Sequence, residues 1–486
     1  METGKGIVKN FTSLVTADFI VKTIGFAVTV YLARKLDPGD FGVLTFSFSI
    51  INYFTYFTDP GLCTYGIRKI AQEPEAVAAH MSDIFTIRLW LTAAAFALAA
   101  GLSFFIHQPP LVKFIILAYA LSMMPQALNP TWIYQGLQKM ELVGAYSIAN
   151  SLIYSGLIFL FVDGHHQLAL IPLFLTAAYF ITSASFLWPL LKRYSFYFRK
   201  VRLRQAVEAV KTSLPIGVST FLVAGVNWNL STTLLGLLSD QAQVGYFAIA
   251  MKIALILIGA GVAFGITLLP IFSKYNYSSK PTAEKILFLS QKIISLIGIP
   301  LIFGTLATGD YLIRFIFGLK YLNTGPLLNL IIPGAILYIL NTVYYAYLIS
   351  EEKQMENMRI SVARTLTLLS ASMLLIPAFG ARGAAAAYTL SEFLSAVIYV
   401  RTIKTSPNPA YDHLALLAKP LIASIAMFFI VYLVPQRLAF LKIPAGVISY
   451  TVIILAIKGV TQDEIRKLNG YFKKGRPSKD AANENT

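Results

Sequence analysis

Long apolar stretches separated by short polar connectors run along nearly the whole chain, from about residue 10 to about residue 460. A helix needs roughly 20 apolar residues to cross the hydrocarbon core of a bilayer. The pattern therefore predicts an all-α polytopic membrane protein of about fourteen spans, with no connector long enough to fold as a soluble domain. The predicted spans are 10–33, 41–65, 84–106, 112–135, 142–162, 168–190, 213–237, 244–270, 286–308, 326–349, 358–378, 383–402, 414–434 and 443–458.

A short pattern of polar and apolar residues recurs with an offset of 203 residues. LDPGDFGVL places Asp37 five residues before Gly42, and SDQAQVGYF places Asp240 five residues before Gly245. In both copies the glycine is followed by the apolar-aromatic sequence that opens the next span. The offset aligns the connector after span one with the connector after span seven, as expected for a repeat of six spans. Transporters are commonly built from such repeats, with the substrate site between the halves.

The repeat predicts an N-lobe of six spans in residues 1–191 and a C-lobe of six spans in residues 213–403. Residues 404–459 add two further spans, and residues 460–486 form a polar tail. A basic linker, residues 192–212, joins the lobes and contains seven Lys and Arg residues. Its apolar residues fit an amphipathic helix on the membrane surface, and a solvated loop fits the same sequence.

The composition agrees with a protein that is mostly embedded in lipid. Apolar residues make up 56% of the chain, charged residues only 13%, and the mean hydropathy is +0.66. Soluble proteins carry about 25% charged residues, so an ordinary cytosolic enzyme is excluded. A single cysteine, Cys63, excludes an intrachain disulfide and a cysteine-based metal cluster. We expect no metal site and no cofactor.

The net charge of +17 is distributed unevenly between the two sides of the predicted membrane topology. With the N-terminus inside, the cytoplasmic tails and loops, together with the span ends next to them, hold 28 of the 40 Lys and Arg residues. The outer connectors hold eight. This bias predicts that both termini are cytoplasmic. It also favours attraction to an anionic inner leaflet and argues against a nucleic-acid partner.

Four segments carry a resemblance to a known family. They are NFTSLVTADFIVKTIGFAVTVYLARKLDPGDFGVL near the N-terminus, LNPTWIYQGLQKMELVGAYSIAN at 128–150, SDQAQVGYFAIAMKIA at 239–254 and GARGAAAAYTLSEFLSA at 380–396. In order and spacing they resemble the polysaccharide flippase, or O-antigen transporter, family of the multidrug/oligosaccharidyl-lipid/polysaccharide exporter superfamily. Many members have twelve spans, so residues 414–458 depart from the pattern. In related lipid flippases two extra helices form a groove for the lipid tail.

The resemblance implies translocation of an undecaprenyl-pyrophosphate-linked oligosaccharide from the inner to the outer leaflet of the inner membrane. It implies alternating access between two six-helix lobes. A proton or sodium ion is a candidate coupling ion, and polysaccharide polymerase or assembly proteins are candidate partners. No ATP site is expected, and the chain contains no GxxxxGK[ST] motif.

Charged residues within the spans are candidate functional residues, because a charge near the bilayer centre costs about 2.5–3.5 kcal/mol on insertion scales. Lys22 and Lys252 are candidates for binding the pyrophosphate from opposite lobes, as the family's cavity cations imply. Asp18 lies four residues before Lys22 on the same helical face, so a self-neutralising pair is the alternative. For Lys252 the alternative is extension of the side chain to the outer interface.

Arg88 and Arg364 lie five or six residues inside the cytoplasmic ends of predicted spans three and eleven. Either guanidinium could hold a phosphate bidentately where an anionic headgroup is first captured. The alternative is that both side chains extend to the membrane surface.

Asp59 and Glu392 are acidic residues without a partner nearby in sequence, and with Asp18 they are candidates for ion coupling. Asp59 precedes Pro60 and Gly61, so capping of a broken helix is its alternative role. Glu392 lies mid-span, where desolvation favours the protonated form that a proton-coupled carrier needs.

Four residues at the end of the fourth span are candidates for stacking on and hydrogen bonding to a sugar: Asn129, Trp132, Tyr134 and Gln135. Trp and Tyr are also enriched at membrane interfaces for reasons unrelated to any ligand, which is the alternative explanation.

Two other functions compete with translocation of a lipid-linked oligosaccharide. A multidrug or cation antiporter of the same superfamily is the nearer alternative, although its cavity should favour acids over the cations found here. A membrane glycan polymerase or glycosyltransferase is disfavoured, because the one outer carboxylate pair, Asp37 and Asp40, lies in a very short connector. We therefore predict that the protein is not an enzyme.

Overall fold

The computed structural model describes residues 4–194, 203–221, 227–403 and 413–459, and the regular structure in these ranges is helical throughout. The all-α prediction is confirmed. The α-helices are α1 (Gly4–Lys35), α2 (Pro38–Thr58), α3 (Leu62–Gln72), α4 (Val77–Phe105), α5 (Pro110–Leu121), α6 (Met123–Ala127), α7 (Thr131–Gly136), α8 (Met140–Phe161), α9 (Leu170–Arg193), α10 (Leu203–Thr220), α11 (Asn227–Leu238), α12 (Gln241–Ser278), α13 (Lys280–Ile316), α14 (Thr324–Ser350), α15 (Gln354–Phe379), α16 (Ala381–Thr402), α17 (His413–Leu433) and α18 (Lys442–Ala456).

Twelve segments of the described ranges are long and apolar enough to cross a membrane. A polytopic membrane protein is therefore confirmed, but the count of fourteen is not, because predicted spans 41–65 and 213–237 are absent from the twelve. The helix α2 is 21 residues long, yet six of them are Ser, Thr or Asn, which lowers its hydropathy. The sequence of span 213–237 is divided between α10 and α11, and residues 222–226 lie outside the described ranges.

The chain forms two compact units, residues 1–245 and residues 246–486. In the first unit, Trp132 and Phe85 lie in a core built from α3, α4, α7 and α9. In the second unit, Phe272 and Tyr347 lie in a core built from α12, α13, α14 and α16. The predicted lobe boundaries stay predictions. Residues 195–202 of the predicted linker and the whole predicted tail, 460–486, lie outside the described ranges.

Three helix breaks in the first unit position polar groups within apolar surroundings. The chain leaves helical geometry between α2 and α3, at residues 59–61, as Pro60 and Gly61 predict. The predicted fourth span consists of three consecutive helices, α5, α6 and α7, that are separated at Ser122 and at residues 128–130. Each break leaves backbone carbonyls without their usual helical partners, so side chains can bond to them.

The repeated glycines found in the sequence contact each other's helices. A methyl group on Gly42 would overlap the carbonyl oxygen of Gln241, and one on Gly245 would overlap the carbonyl oxygen of Pro38. Pro38 and Gln241 are themselves 203 residues apart, so the two contacts are related by the same offset as the glycines. The N-terminal turns of α2 and α12 therefore pack against each other reciprocally, with glycine at both points of closest approach.

Candidate functional site

An ion pair lies buried between helices of the second unit. The Nη1 atom of Arg364, on α15, lies 3.4 Å from Oε1 of Glu392, on α16, and the two side chains are 15% and 4% exposed. The side-chain nitrogen of Asn341, on α14, donates to Oε2 of Glu392 at 3.0 Å and to its backbone carbonyl at 3.0 Å. Glu392 is thus held by one charged and one neutral donor.

The helical turns explain why these three residues meet. Consecutive helices α14, α15 and α16 are joined by short turns, at residues 351–353 and at Gly380. With a rise of about 1.5 Å per residue, Asn341 and Arg364 both lie about 17 Å from the first turn. Arg364 and Glu392 lie about 24 Å and 18 Å from the second, a difference that the arginine side chain can bridge.

Tyrosines surround the ion pair. The guanidinium of Arg364 lies 5.6 Å from the centre of the Tyr338 ring, a cation–π contact. Within the described part of the chain, the hydroxyl of Tyr388 and Oδ1 of Asn341 are buried without a hydrogen-bond partner. Together with the Glu392 carboxylate, these oxygens form a set that could hold a proton or a small cation.

Another buried cation, Arg88, lies in the first unit on α4. Its side chain is 5% exposed, and Nη2 donates to the backbone carbonyl of Gln126 at 3.2 Å. This carbonyl lies in α6, next to the helix breaks, where backbone carbonyls lack their usual helical partners. In the described ranges, Nε and Nη1 of Arg88 are buried without a partner. A buried charged group whose donors lack partners is unfavourable, and a bound anion would satisfy these donors.

Both arginines lie farther from the start of their helices than the predicted spans placed them. The helices α4 and α15 begin at Val77 and Gln354, earlier than the predicted spans, so each arginine lies about 15 Å along its helix. Neither side chain extends to a helix end: Arg364 bonds to Glu392 on the neighbouring helix, and Arg88 bonds to Gln126.

The other charged candidates are more accessible. Lys22 and Asp18 form an ion pair of 2.7 Å on α1, with both side chains 63% exposed, which matches the self-neutralising alternative. Lys252 is exposed on α12. Asp59 accepts a hydrogen bond from the backbone N–H of Cys63 at 3.0 Å, so it caps the start of α3, as its structural alternative predicts.

The predicted sugar-contact residues are mostly packed inside the first unit. Trp132 and Tyr134 are 2% and 4% exposed; Trp132 packs edge-on against Phe85, and the Tyr134 hydroxyl donates to the carbonyl of Phe186 at 2.6 Å. Asn129 accepts from the N–H of Thr131, and Gln135 is half-buried. Contact with a sugar stays a prediction and would require these helices to separate.

The sequence model of the family described as polysaccharide biosynthesis protein matches residues 7–276, more than half of the chain. The chain belongs to this family. A protein of Escherichia coli (strain K12) that is named as an O-antigen transporter is 23% identical over 371 residues, which cover 75% of this chain and 88% of that protein.

Two solved structures are similar to the fold of this family member. The lipid II flippase MurJ aligns with a TM-score of 0.72 at 12% identity, over 92% of this chain and 98% of MurJ. An inward-facing multidrug resistance transporter of the MATE family, in the MOP superfamily, aligns with a TM-score of 0.62 at 12% identity, over 78% and 93% of the two chains. At this identity the likeness concerns the fold alone.

Asn341 and Tyr338 were missed by reasoning from the sequence. Both lie in an apolar stretch, where a lone amide draws attention only if its partner is known. Comparison of the distances of Asn341, Arg364 and Glu392 from the two turns would have predicted that these three residues lie at the same level. Within the described ranges, no group of three or more His, Cys, Asp or Glu side chains is arranged to hold a metal ion.

Proposed function

We propose that the protein is a flippase that moves an undecaprenyl-pyrophosphate-linked oligosaccharide from the inner to the outer leaflet of the inner membrane by alternating access. Membership of the polysaccharide biosynthesis family supports a transporter rather than an enzyme, and the relative named as an O-antigen transporter supports a lipid-linked glycan as cargo. The likeness of the fold to MurJ agrees with a lipid-linked substrate.

The observation that carries the proposal is the buried guanidinium of Arg88, with two nitrogens that have no partner in the described ranges. A pyrophosphate offers the charge and the acceptor oxygens that would satisfy these nitrogens. Arg88 is therefore the leading candidate for binding the headgroup. Lys22 and Arg364 are secondary candidates because they already pair with Asp18 and Glu392, and Lys252 is secondary because it is exposed.

A deletion strain tests this function. We expect lipid-linked oligosaccharide to accumulate on the cytoplasmic leaflet and expression of the wild-type chain to reverse this. Arg88→Met should fail to reverse it at equal expression, whereas Arg68→Met, which removes an exposed cation of α3, should succeed. An unchanged glycolipid distribution in the deletion strain would reject the proposal.

We propose further that the cluster of Glu392, Arg364 and Asn341 couples transport to a proton or sodium gradient. Protonation or cation binding at Glu392 would release Arg364 from its ion pair and so change the contact between α15 and α16. Glu392→Gln should abolish the response of transport to the gradients, and Glu356→Gln, on the exposed surface of α15, should not. If Glu392→Gln, Asp18→Asn and Asp59→Asn all retain the response, the coupling site lies elsewhere.

A multidrug antiporter is the second candidate, favoured by the likeness of the fold to a MATE transporter. Altered resistance to cationic dyes in the deletion strain, with normal glycolipid, would favour it.

Under the flippase proposal, both termini face the cytoplasm, the basic segments contact an anionic inner leaflet, and polymerase or assembly proteins receive the product.

A further inference from the structure

A pocket of about 360 Å³ lies on the first unit, between the turn from α7 to α8 and the end of α9. Its charged lining residues are Lys139 and Arg193, and among the residues that the structure describes no carboxylate lines it. The full lining is Tyr134, Lys139, Leu142, Ser185, Phe186, Pro189, Leu190 and Arg193. Two cations therefore face an apolar pocket without an acid to balance them.

A second pocket at the same end of the unit, of about 570 Å³ between α3, α4 and α10, has the opposite character. Its cations Arg68 and Lys69 are accompanied in the lining by Asp83 and Glu208. Lys69 also bonds to Glu73 at 3.4 Å and holds the pKa of that carboxyl below its usual value. The charges of this pocket are thus compensated by the protein, whereas those of the first pocket are not.

The residues beside the first pocket on α9 are of the types found at membrane–water interfaces. Trp188, five residues before Arg193, is 60% exposed, and the ammonium of Lys192 lies 5.1 Å from the centre of the Trp188 ring. Exposed Trp beside Lys is the arrangement found at membrane–water interfaces. Leu142, Phe186 and Leu190 line the same pocket and offer an apolar surface to the start of an acyl chain.

Pro189 interrupts the backbone hydrogen bonding of α9 beside the pocket. Proline has no N–H, so it cannot donate to the carbonyl of Ser185 one turn earlier, as a residue of a regular helix would. A ligand with both a phosphate and a hydroxyl group could bond to the two cations and to this carbonyl at once.

We propose that the pocket binds the headgroup of an anionic glycerophospholipid, with its phosphate between Lys139 and Arg193 and a headgroup hydroxyl toward Ser185. Phosphatidylglycerol has this chemistry. The pocket has room for such a headgroup but not for several sugar rings. The site goes beyond the proposed function, and it places a resident lipid of the membrane, rather than the transported glycolipid, against α8 and α9.

The full-length chain in a neutral detergent tests the site by native mass spectrometry and by thermal stability. We expect phosphatidylglycerol to bind and stabilise the wild-type chain more than phosphatidylcholine with the same acyl chains. Lys139→Gln and Arg193→Gln should each weaken the apparent affinity for phosphatidylglycerol about fivefold, as expected for the loss of one cation at a lipid surface. Lys139→Arg and Arg193→Lys should retain most of it.

The matched controls are the single variants Arg68→Gln and Lys69→Gln, each of which removes one positive charge from the compensated pocket and should leave the affinity unchanged. An equal loss in these controls, or no loss in the Lys139 and Arg193 variants, would overturn the proposal. Displacement of phosphatidylglycerol by a lower concentration of undecaprenyl phosphate would assign the pocket to the substrate instead. Because binding is measured without transport, failure of the flippase assay does not affect this result.

Discussion

Two ion pairs of the same chemical type occupy different environments in this protein. Asp18 and Lys22 are both 63% exposed, whereas Glu392 and Arg364 are 4% and 15% exposed. An exposed pair contributes little, about 0–1 kcal/mol. Removing one partner of a buried pair leaves an uncompensated charge and costs about 3–5 kcal/mol, even where the intact pair adds little net stability.

Loss of Arg364 alone should therefore destabilise the protein more than loss of the whole pair. We expect Arg364→Met to lower the stability by about 3–5 kcal/mol and Arg364→Met/Glu392→Gln to recover a large part of it. Thermal unfolding in detergent measures both. Arg359→Met, which removes an exposed ion pair with Glu356 on the same helix, should change stability by about 1 kcal/mol or less. A double variant as unstable as the single one would contradict the expectation.

Loss of Arg88, unlike loss of Arg364, should impair transport without destabilising the protein. Its buried guanidinium has one hydrogen bond and two nitrogens without a partner in the described ranges, so the folded protein gains little from it. We expect Arg88→Met to keep or raise the thermal stability and to lower transport of the lipid-linked oligosaccharide at least about tenfold, because one charge-assisted phosphate contact is worth about 1.5–3 kcal/mol. Full transport by a stable Arg88→Met protein would remove this residue from the substrate site.

The sequence was informative at this scale only where partners are close along the chain. The Asp18–Lys22 pair is visible from its four-residue spacing, and the capping role of Asp59 follows from the Pro60-Gly61 break. Arg364 and Glu392 are 28 residues apart, and only the packing of α15 on α16 joins them. An apolar-aromatic stretch does not reveal which of its rings face the protein core, as Trp132 illustrates.

At the scale of elements, the helices follow the hydrophobic pattern and depart from it where polar residues are frequent. Most predicted spans appear as single long helices, because an apolar stretch in lipid must satisfy its backbone internally. Pro125 and Pro130 predict kinks in this apolar stretch, but they do not predict the breaks that divide it into α5, α6 and α7. Their geometry depends on packing that a one-dimensional pattern does not contain.

The reciprocal contact of α2 and α12 gives a prediction at the element scale. Alanine at residue 42 would overlap the carbonyl of Gln241, so Gly42→Ala should lower stability by about 1–3 kcal/mol despite the better helix propensity of alanine. Gly245→Ala should have the same effect through Pro38. Thermal unfolding measures both variants.

Gly39 is the matched control, because it lies on α2 and a methyl group there would meet nothing within 4 Å. Gly39→Ala should leave stability unchanged or slightly raised. Equal behaviour of Gly39→Ala and Gly42→Ala would mean that the two N-terminal turns separate easily.

At the scale of the whole molecule, charge predicts topology. The excess of Lys and Arg on one side predicts cytoplasmic termini and a cytoplasmic α14–α15 turn, with the α8–α9 connector outside. Green fluorescent protein inserted at residue 352 or fused to the C-terminus should fluoresce, and alkaline phosphatase inserted at residue 164 should be active. The reverse pattern at any of these sites would require a different arrangement of spans.

The last two helices have a consequence for biogenesis. Both contact α13: Phe428 packs edge-on against Phe303, and the Tyr450 hydroxyl donates to the carbonyl of Leu296 at 2.7 Å. About 100 residues separate the end of α13 from the start of α17, which at about 5–20 residues per second takes the ribosome roughly 5–20 s. During that interval this face of α13 has no protein partner from α17 or α18. Lipid, or the insertion machinery, must cover it until synthesis is complete.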